Sequence, residues 1–169
     1  MSLMSNTDYD IASALYHLYN GNFICASQAH DSWYEFKHNK WEKNELGCSL
    51  RNSISEGLFN EYKKVFVSIQ IKYNEQQNKT NNDGDGGDSQ NKIKIQDLHK
   101  TVLTLRQTTR KNSIMREAKE IFYDNEFFDR LDKDNYLLGC KNCIIDFREK
   151  RHRKGKPDDY VSKSTNIHY

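Results

Sequence analysis

A β-hairpin is predicted by the stretch Trp33–Lys43, which reads WYEFKHNKWEK. Aromatic and polar residues alternate along each arm, and a polar run lies between the arms as a turn. The alternation puts Tyr34 and Phe36 on one face of the ribbon and Trp33 on the other, with Trp41 on the returning arm. A two-stranded ribbon is only marginally stable by itself. We therefore expect these aromatic side chains to pack against helices.

Amphipathic helices are predicted on both sides of the hairpin. Apolar residues recur at the spacing of one helical face in five segments, which are Ile11–Tyr19, Leu50–Ile69, Ile95–Leu105, Ile114–Phe122 and Phe127–Leu131. Thr7 or Asp8 is the expected N-cap of the first helix, and Gly21 supplies its left-handed stop. Asn112 or Ser113 is the expected cap of the fourth. The second helix is predicted to continue to about residue 73.

Two short strands are predicted near the C-terminus. Tyr136–Leu138 and Ile144–Phe147 are apolar runs joined by a turn over Gly139–Asn142, and the segment Arg148–Lys156 follows as a basic loop. Pro157-Asp158-Asp159 predicts a turn or the start of a helix. The order of helix, hairpin, helices and strands predicts an α+β fold. It is mainly helical, with a short aromatic β-hairpin near the N-terminus and a short β-hairpin near the C-terminus.

Length and composition are those of one polar domain with aromatic anchors. The chain has 169 residues, of which 12% are aromatic and 30% charged, and its mean hydropathy is −0.98. Residues 1–7 are interpreted as a flexible N-terminus or an expression scar, and residues 8–169 as a single domain with a flexible insertion at 74–91. No apolar run approaches the length of a membrane span, and no signal peptide is visible. Four Cys without such a signal favour a reducing compartment.

No catalytic or metal-binding motif is recognisable in the sequence. The one Gly-Lys pair, at Gly155, is followed by Pro and so is not a phosphate-binding Walker loop. Cys140 and Cys143 have zinc-knuckle spacing but lack a second ligand pair, and the calcium-like run Asn81–Gly86 has Lys92 where a carboxylate is needed. We therefore predict no catalytic residue, no metal ligand and no cofactor for this chain.

The basic segment, Arg148–Lys156, is the one charge feature that points to a ligand. It concentrates six cations in nine residues, although the whole chain carries only +2. Such a patch can displace counterions from phosphates, so we predict nucleic-acid contacts from Arg148, Lys150, Arg151, Arg153, Lys154 and Lys156. The alternative is a solvated loop that keeps a hairpin tip soluble. Tyr136, Phe147 and Tyr160 lie nearby as candidates for base stacking or for the core.

Two groups of short sequence words resemble a known family. One is His30–Phe36 (HDSWYEF) through Trp41; the other is Tyr136–Phe147 (YLLGCKNCIIDF), with Lys156–Thr165 (KPDDYVSKST) after the basic spacer. Together they resemble the helicase-adjacent, N-terminal-like domain of the poxvirus-type primase-helicases of large DNA viruses and satellite phages. The residues that match the family words are interpreted as structural: Trp33, Tyr34, Trp41, Asn142, Asp146, Asp159 and Tyr160. Asp146 is expected to cap or pair with the basic segment.

One residue departs from the family words. Cys143 stands where the family has Gly. If that position needs a positive φ, Cys143 is strained, or else Asn142 makes the turn instead.

The resemblance implies a role in viral DNA replication. It implies a non-catalytic accessory domain that couples to an ATP-driven superfamily III helicase motor encoded downstream and that contacts single-stranded or forked DNA. ATP and magnesium are then expected for the motor and not for this chain, and no membrane partner is expected. The implied location is the viral replication site in the host cytoplasm, with packaging in the virion as an alternative.

Two other classes of function stay open at this level. One is a free-standing module that binds single-stranded nucleic acid through the hairpin aromatics and the basic segment. The other is a structural adaptor whose stripe Leu50–Ile69 docks on a partner protein, and exposed aromatic residues around Trp33 and Trp41 would favour it.

Overall fold

The computed structural model describes residues 6–79, 88–165 and 167–169, and only the backbone of residues 77–79 and 88–91. The described residues form two compact units, one within Met1–Leu18 and Arg51–Ala118 and the other within Tyr19–Leu50 and Lys119–Tyr169. Each unit joins two distant stretches of the chain, so neither is a separate segment of sequence. A single domain over residues 8–169 stays a prediction.

The architecture is α+β, as the sequence predicts. The helices are α1 (Asp8–Tyr19), α2 (Cys48–Ser53), α3 (Phe59–Lys79), α4 (Asp88–Thr104), α5 (Thr108–Ile121) and α6 (Phe127–Arg130). The strands are β1 (Phe23–Ser27), β2 (Ser32–Lys37), β3 (Lys40–Glu45), β4 (Leu137–Gly139), β5 (Ile144–Asp146) and β6 (Arg151–Arg153). They form two three-stranded antiparallel sheets, β1-β2-β3 and β4-β5-β6, where two hairpins were predicted.

The start of α1 is bonded into the first unit. The Thr7 hydroxyl oxygen accepts from the Asp10 N–H at 3.2 Å, so Thr7 is the cap of the two candidates. Thr101 donates its hydroxyl to Asn6 Oδ1 at 2.6 Å. Asn6 and Thr7, which the prediction placed in a flexible terminus, are therefore held in place, whereas residues 1–5 lie outside the described part. Gly21 has φ +83°, which is the predicted left-handed stop.

The long helix predicted from Leu50 is interrupted by one wide turn. A π-helical segment, Ile54–Leu58, joins α2 to α3, and the Phe59 N–H donates to the carbonyl of Ile54, five residues back. The buried residues Leu50, Ile54, Leu58 and Tyr62 recur every four residues. That spacing drifts around a regular α-helix, and the extra residue in a π turn rotates the apolar face back toward the core. Burial raises the pKa of the Tyr62 hydroxyl to about 12.

Three helix limits differ from the prediction. Helix α3 continues to Lys79 and α4 begins at Asp88, so both helices extend into the predicted insertion at 74–91. The rest of that insertion, 80–87, lies outside the described residues, as does the calcium-like run. Helix α5 begins at Thr108 and not at the predicted cap Asn112 or Ser113. Its first turn is polar and carries no apolar period, so the sequence pattern gave no sign of it.

The first sheet confirms the predicted aromatic hairpin. Strands β2 and β3 are joined at His38 and Asn39, which both have positive φ (52° and 65°), as the tightest hairpin turns require. Phe36 pairs with Trp41 across the strands, and Trp33 faces the other way, where it meets the Phe122 ring at 5.8 Å. The alternation in the sequence therefore predicted correctly that Trp33 and Phe36 lie on opposite faces.

Trp41 lies at the centre of the second unit. Its ring meets Phe36 and Phe127 at 5.5 Å each, and its indole N–H donates to the Pro157 carbonyl at 2.8 Å. Tyr160 joins the same apolar cluster. The aromatic hairpin is thus packed against α6 and against the segment that follows the second sheet.

The basic segment contacts the turn of the first hairpin at Gly155. The Gly155 N–H donates to Asn39 Oδ1 at 2.9 Å, and a Cβ on Gly155 would lie 2.6 Å from the Asn39 carbonyl oxygen. That neighbour is backbone and cannot rotate away. We expect Gly155→Ala to lower the free energy of unfolding by about 1–3 kcal/mol in chemical denaturation.

The neighbouring exposed residue Lys154 provides the control for this prediction. Lys154→Ala removes no close contact and should change the free energy of unfolding by less than about 0.5 kcal/mol. Equal stability of Gly155→Ala and Lys154→Ala would contradict the close approach.

Candidate nucleic-acid interface

The basic segment is built as a turn and a strand and not as the predicted loop. Strand β6 pairs with β5 so that Arg151 faces Asp146 and Arg153 faces Ile144. Asp146 Oδ1 accepts from the N–H groups of Arg148 and Glu149 at 3.1 and 3.4 Å, which fixes the turn between the strands. A strand of charged residues gives no hydrophobic pattern, because its stability comes from backbone hydrogen bonds to a neighbour.

Arg153 is partly buried and makes its ion pairs within the second unit. Its two terminal nitrogens donate to the two oxygens of Asp159 at 2.8 Å each, and Nη2 lies 3.5 Å from Asp146. Burial alone would raise the pKa of Asp159, but the hydrogen bonds and charge of Arg153 hold it below its ordinary value. The same hydrogen bonds to Asp159 raise the pKa of Arg153. Both groups are charged at neutral pH, so Arg153 works as a structural ion pair.

Arg148 and Arg151 have partners on the surface. The Arg148 guanidinium lies over the Tyr136 ring, 4.6 Å from its centroid, and donates to Asp134 at 2.6 Å. The Tyr136 N–H and then Arg148 lower the pKa of Asp134. Arg151 donates to Glu149 at 2.5 Å with both side chains largely exposed. Exposed pairs of this kind contribute little to stability and can be exchanged for a ligand.

Three predicted cations have no such partner. Lys150, Lys154 and Lys156 are exposed, and within the described residues none of them forms an ion pair. We call them the basic-segment lysines. Lys150 has φ 49° in the turn before β6, and the other two follow that strand. The structure therefore leaves these three lysines exposed on a backbone that Asp146, Arg153 and Gly155 hold in place, although the Lys156 charge helps to lower the pKa of Asp159.

The residues that match the family words lie in the core or make hydrogen bonds. Trp33 and Trp41 are buried, and Tyr34 packs on Phe127 at 4.8 Å. The Asn142 side chain accepts from the Tyr169 N–H and donates to its carbonyl, both at 3.0 Å. Neither Asn142 nor Cys143 has a positive φ, so Cys143 is not strained by replacing the family Gly.

Asp132 is a structural residue that sequence reasoning missed. Its carboxylate accepts from the Ser162 N–H at 2.7 Å and from the Ser162 hydroxyl at 2.5 Å, and its N–H donates to the Tyr160 carbonyl at 2.7 Å. It thereby ties the chain after Pro157 to the end of α6. Asp132 and Ser162 are thirty residues apart in sequence, so no local pattern links them. The φ of 57° at Asp132 is a feature of the structure and cannot be read from the sequence.

A polar cleft of about 620 Å³ lies beside the basic segment in the second unit. Tyrosine rings and arginine side chains alternate with carboxylates along its wall. It is lined by Asp129, Arg130, Lys133, Asp134, Asn135, Tyr136, Leu137, Arg148, Arg153, Asp158, Asp159 and Tyr160. We call it the Tyr136 cleft.

The cysteines are free thiols in this structure. Cys25, Cys140 and Cys143 are buried, and burial raises the pKa of Cys25 to about 11. The Cys140 N–H donates to the Cys143 carbonyl at 2.8 Å, which closes the turn between β4 and β5. Among the described residues, no group of three or more His, Cys, Asp or Glu side chains is placed to hold a metal ion.

No helix in the described part of the chain is both long and apolar enough to cross a membrane.

Comparison with known proteins finds one family and several viral relatives. Residues 12–169 match the family described as D5 N terminal like. The chain is 33% identical over 168 residues to "Putative helicase L207/L206" of Acanthamoeba polyphaga mimivirus, which covers 98% of this chain and 17% of that protein. It is 25% identical over 186 residues to "Putative helicase 121R" of Invertebrate iridescent virus 3, which covers 96% of this chain and 19% of that protein. The chain thus spans less than a fifth of the length of these relatives.

Proposed function

The chain belongs to the D5 N terminal like family, and from that premise we propose that it is a non-catalytic accessory domain of a viral replication helicase. In this proposal it couples to an ATP-driven motor and contacts single-stranded or forked DNA. ATP and magnesium act at the motor. The proposed location is the viral replication site in the host cytoplasm, with packaging in the virion as an alternative. The names of the relatives, each called "Putative helicase" of a virus, support this assignment.

The DNA contact is proposed because the cations of the basic segment differ in their partners: one is held in a partly buried ion pair and the three lysines are exposed. Arg153 holds the backbone from inside, while the basic-segment lysines stay exposed and unpaired within the described residues. Because the backbone is already fixed, binding to phosphates costs only the ordering of the lysine side chains and not that of the backbone as well. Their contribution is independent of base sequence, as expected of a protein that follows a strand through many sequences.

The test is DNA binding by the full chain and by a triple variant, Lys150→Ala/Lys154→Ala/Lys156→Ala. We expect the variant to bind a fluorescent 12-nucleotide single strand more weakly. The slope of log affinity against log salt should fall by about 2, because each lost phosphate contact on a single strand removes about 0.7. Fluorescence anisotropy at several salt concentrations measures both quantities.

A matched control separates a local contact from loss of general charge. Lys63→Ala/Lys72→Ala/Lys94→Ala removes the same number of exposed lysines from the helices of the first unit. It should leave the salt slope close to that of the unchanged protein. If the two triple variants weaken DNA binding equally, the basic segment is a solvated strand and not a DNA contact. ATP turnover by this chain alone would contradict the non-catalytic role.

The two alternative functions make different demands. A free-standing single-strand binder must bind DNA tightly without a motor in about 0.15 M salt, where phosphate contacts are strongly weakened. The adaptor reading relied on exposed aromatics and on the stripe Leu50–Ile69. Trp33, Trp41 and the stripe residues Leu50 and Leu58 are buried, so these residues belong to the cores of their own units. Val65, Phe66 and Ile69, at the other end of the stripe, are only partly buried, so that end stays available to a partner.

A further inference from the structure

Tyr136 is an aromatic ring fixed in position at the edge of the Tyr136 cleft. Asp134 Oδ1 accepts both from the Tyr136 N–H at 3.0 Å and from the Arg148 guanidinium at 2.6 Å. That guanidinium lies over one face of the ring, 4.6 Å from the centroid. Tyr136 is nevertheless 55% exposed. The planar cation thus covers part of the ring, and more than half of the residue stays accessible to a planar ligand at the cleft that it lines.

The other tyrosine of the cleft has no free face of this kind. The Arg130 guanidinium lies 4.5 Å from the Tyr160 ring centroid, and the Phe127 ring packs against Tyr160 at 6.1 Å. Tyr160 is therefore part of the apolar cluster around Trp41. Of the two, Tyr136 is the ring that can accept a stacked ligand.

The charges of the cleft favour an uncharged ligand group with hydrogen-bonding edges. The charges of Arg148 and Arg153 are offset by Asp134 and Asp159. Asp129 and Asp158 are exposed and form no ion pair within the described residues. Lys133 is the one cleft cation without an ion pair within the described residues, since Arg130 pairs with Asp124, so a phosphate in the cleft would meet two free carboxylates against one free cation. A base is neutral and offers N–H donors to those carboxylates. The volume of about 620 Å³ is ample for a base.

Lys133 gives the adjoining backbone a cation at the same site. It lines the cleft, is exposed, and makes no ion pair within the described part of the chain. A strand whose base enters the cleft can therefore keep its phosphate outside, near Lys133 and the basic-segment lysines. We infer that the Tyr136 cleft holds one unpaired base of single-stranded DNA, stacked on the accessible part of the Tyr136 ring. This inference rests on the DNA contact proposed above.

The experiment compares two fluorescent probes, a 12-nucleotide oligothymidylate and an abasic strand with the same number of phosphates. Tyr136→Leu keeps an apolar side chain but removes the ring. We expect about a 10-fold loss of affinity for the oligothymidylate, within the range known for one base stacked on an aromatic side chain. Affinity for the abasic strand and the salt slope should not change, because no phosphate contact is lost. Tyr136→Phe should bind both probes as the unchanged protein does.

Tyr9→Leu is the matched control, since Tyr9 is 59% exposed on α1 and lies outside the cleft. It should leave binding of both probes unchanged. If Tyr136→Leu binds oligothymidylate normally while the lysine triple variant binds it weakly, the stacking site is wrong and the proposed DNA contact stands. If the unchanged protein binds neither probe, both the cleft and the DNA contact are wrong.

Discussion

Trp41→Ala is expected to lower the free energy of unfolding by about 3–5 kcal/mol, which is the usual cost of deleting a large buried aromatic. The Trp41 side chain is 2% exposed and meets Phe36 and Phe127 at 5.5 Å each. Its removal opens a cavity between the aromatic hairpin and α6, and the Pro157 carbonyl loses its indole donor. Chemical denaturation followed by circular dichroism measures the change.

Two further variants separate the parts of this effect. Trp41→Phe keeps an aromatic ring but loses the donor to Pro157, and we expect a smaller cost of about 1–3 kcal/mol. Tyr123→Ala removes an exposed aromatic of the same unit and should cost less than about 0.5 kcal/mol. A Trp41→Ala protein as stable as Tyr123→Ala would show that the hairpin does not pack as described.

Arg153→Ala is expected to have a comparable effect, about 3–5 kcal/mol, because it leaves two carboxylates without their cation. The side chains of Asp146 and Asp159 are each 9% exposed, and Arg153 lies within 3.5 Å of both. Arg153→Lys restores the charge but not the two parallel hydrogen bonds, so it should recover only part of the loss. Arg151→Ala, on the same strand but at the surface, should be nearly neutral.

The pH dependence of stability provides a second measurement for Arg153. Arg153 lowers the pKa of Asp159 in the folded protein, so this pair stabilises the fold fully above the unfolded pKa of about 3.9. That stabilisation is lost as the pH falls through the folded pKa. In Arg153→Ala the Asp159 carboxylate is instead easier to protonate, so the difference in unfolding free energy from the unchanged protein should narrow in acid. A constant gap would show that Arg153 does not act through these carboxylates.

The Arg153 result also bears on the interface. The run of cations around Arg153 predicts a nucleic-acid contact there, and only the distance from Arg153 to Asp159 shows that the residue also makes a structural ion pair. If the Arg153→Ala protein is stable but binds DNA much more weakly, Arg153 contacts DNA directly. The lysine triple variant avoids this ambiguity because it leaves both carboxylates paired.

The positions of the helices and of the aromatic hairpin could be predicted because their signals are local. Alternation in β2 set the faces of Trp33 and Tyr34, and apolar spacing of about one helical turn marked α1 and the segment from Leu50 onward. The α+β class followed from the order of these elements. The first turn of α5 and the strand β6 were not predicted, because their polar residues show no apolar periodicity.

The sequence by itself determined the aromatic hairpin, most of the helices and that the positive charge collects at Arg148–Lys156. Only the tertiary structure decided which of those cations are free. Arg153 forms ion pairs with Asp159 and Asp146, and Arg148 forms one with Asp134. Lys150 forms no ion pair within the described residues. Ion pairs of this kind depend on distances between groups that folding brings together. Charge composition fixes how many cations a segment has, but not which of them the fold leaves available for a phosphate.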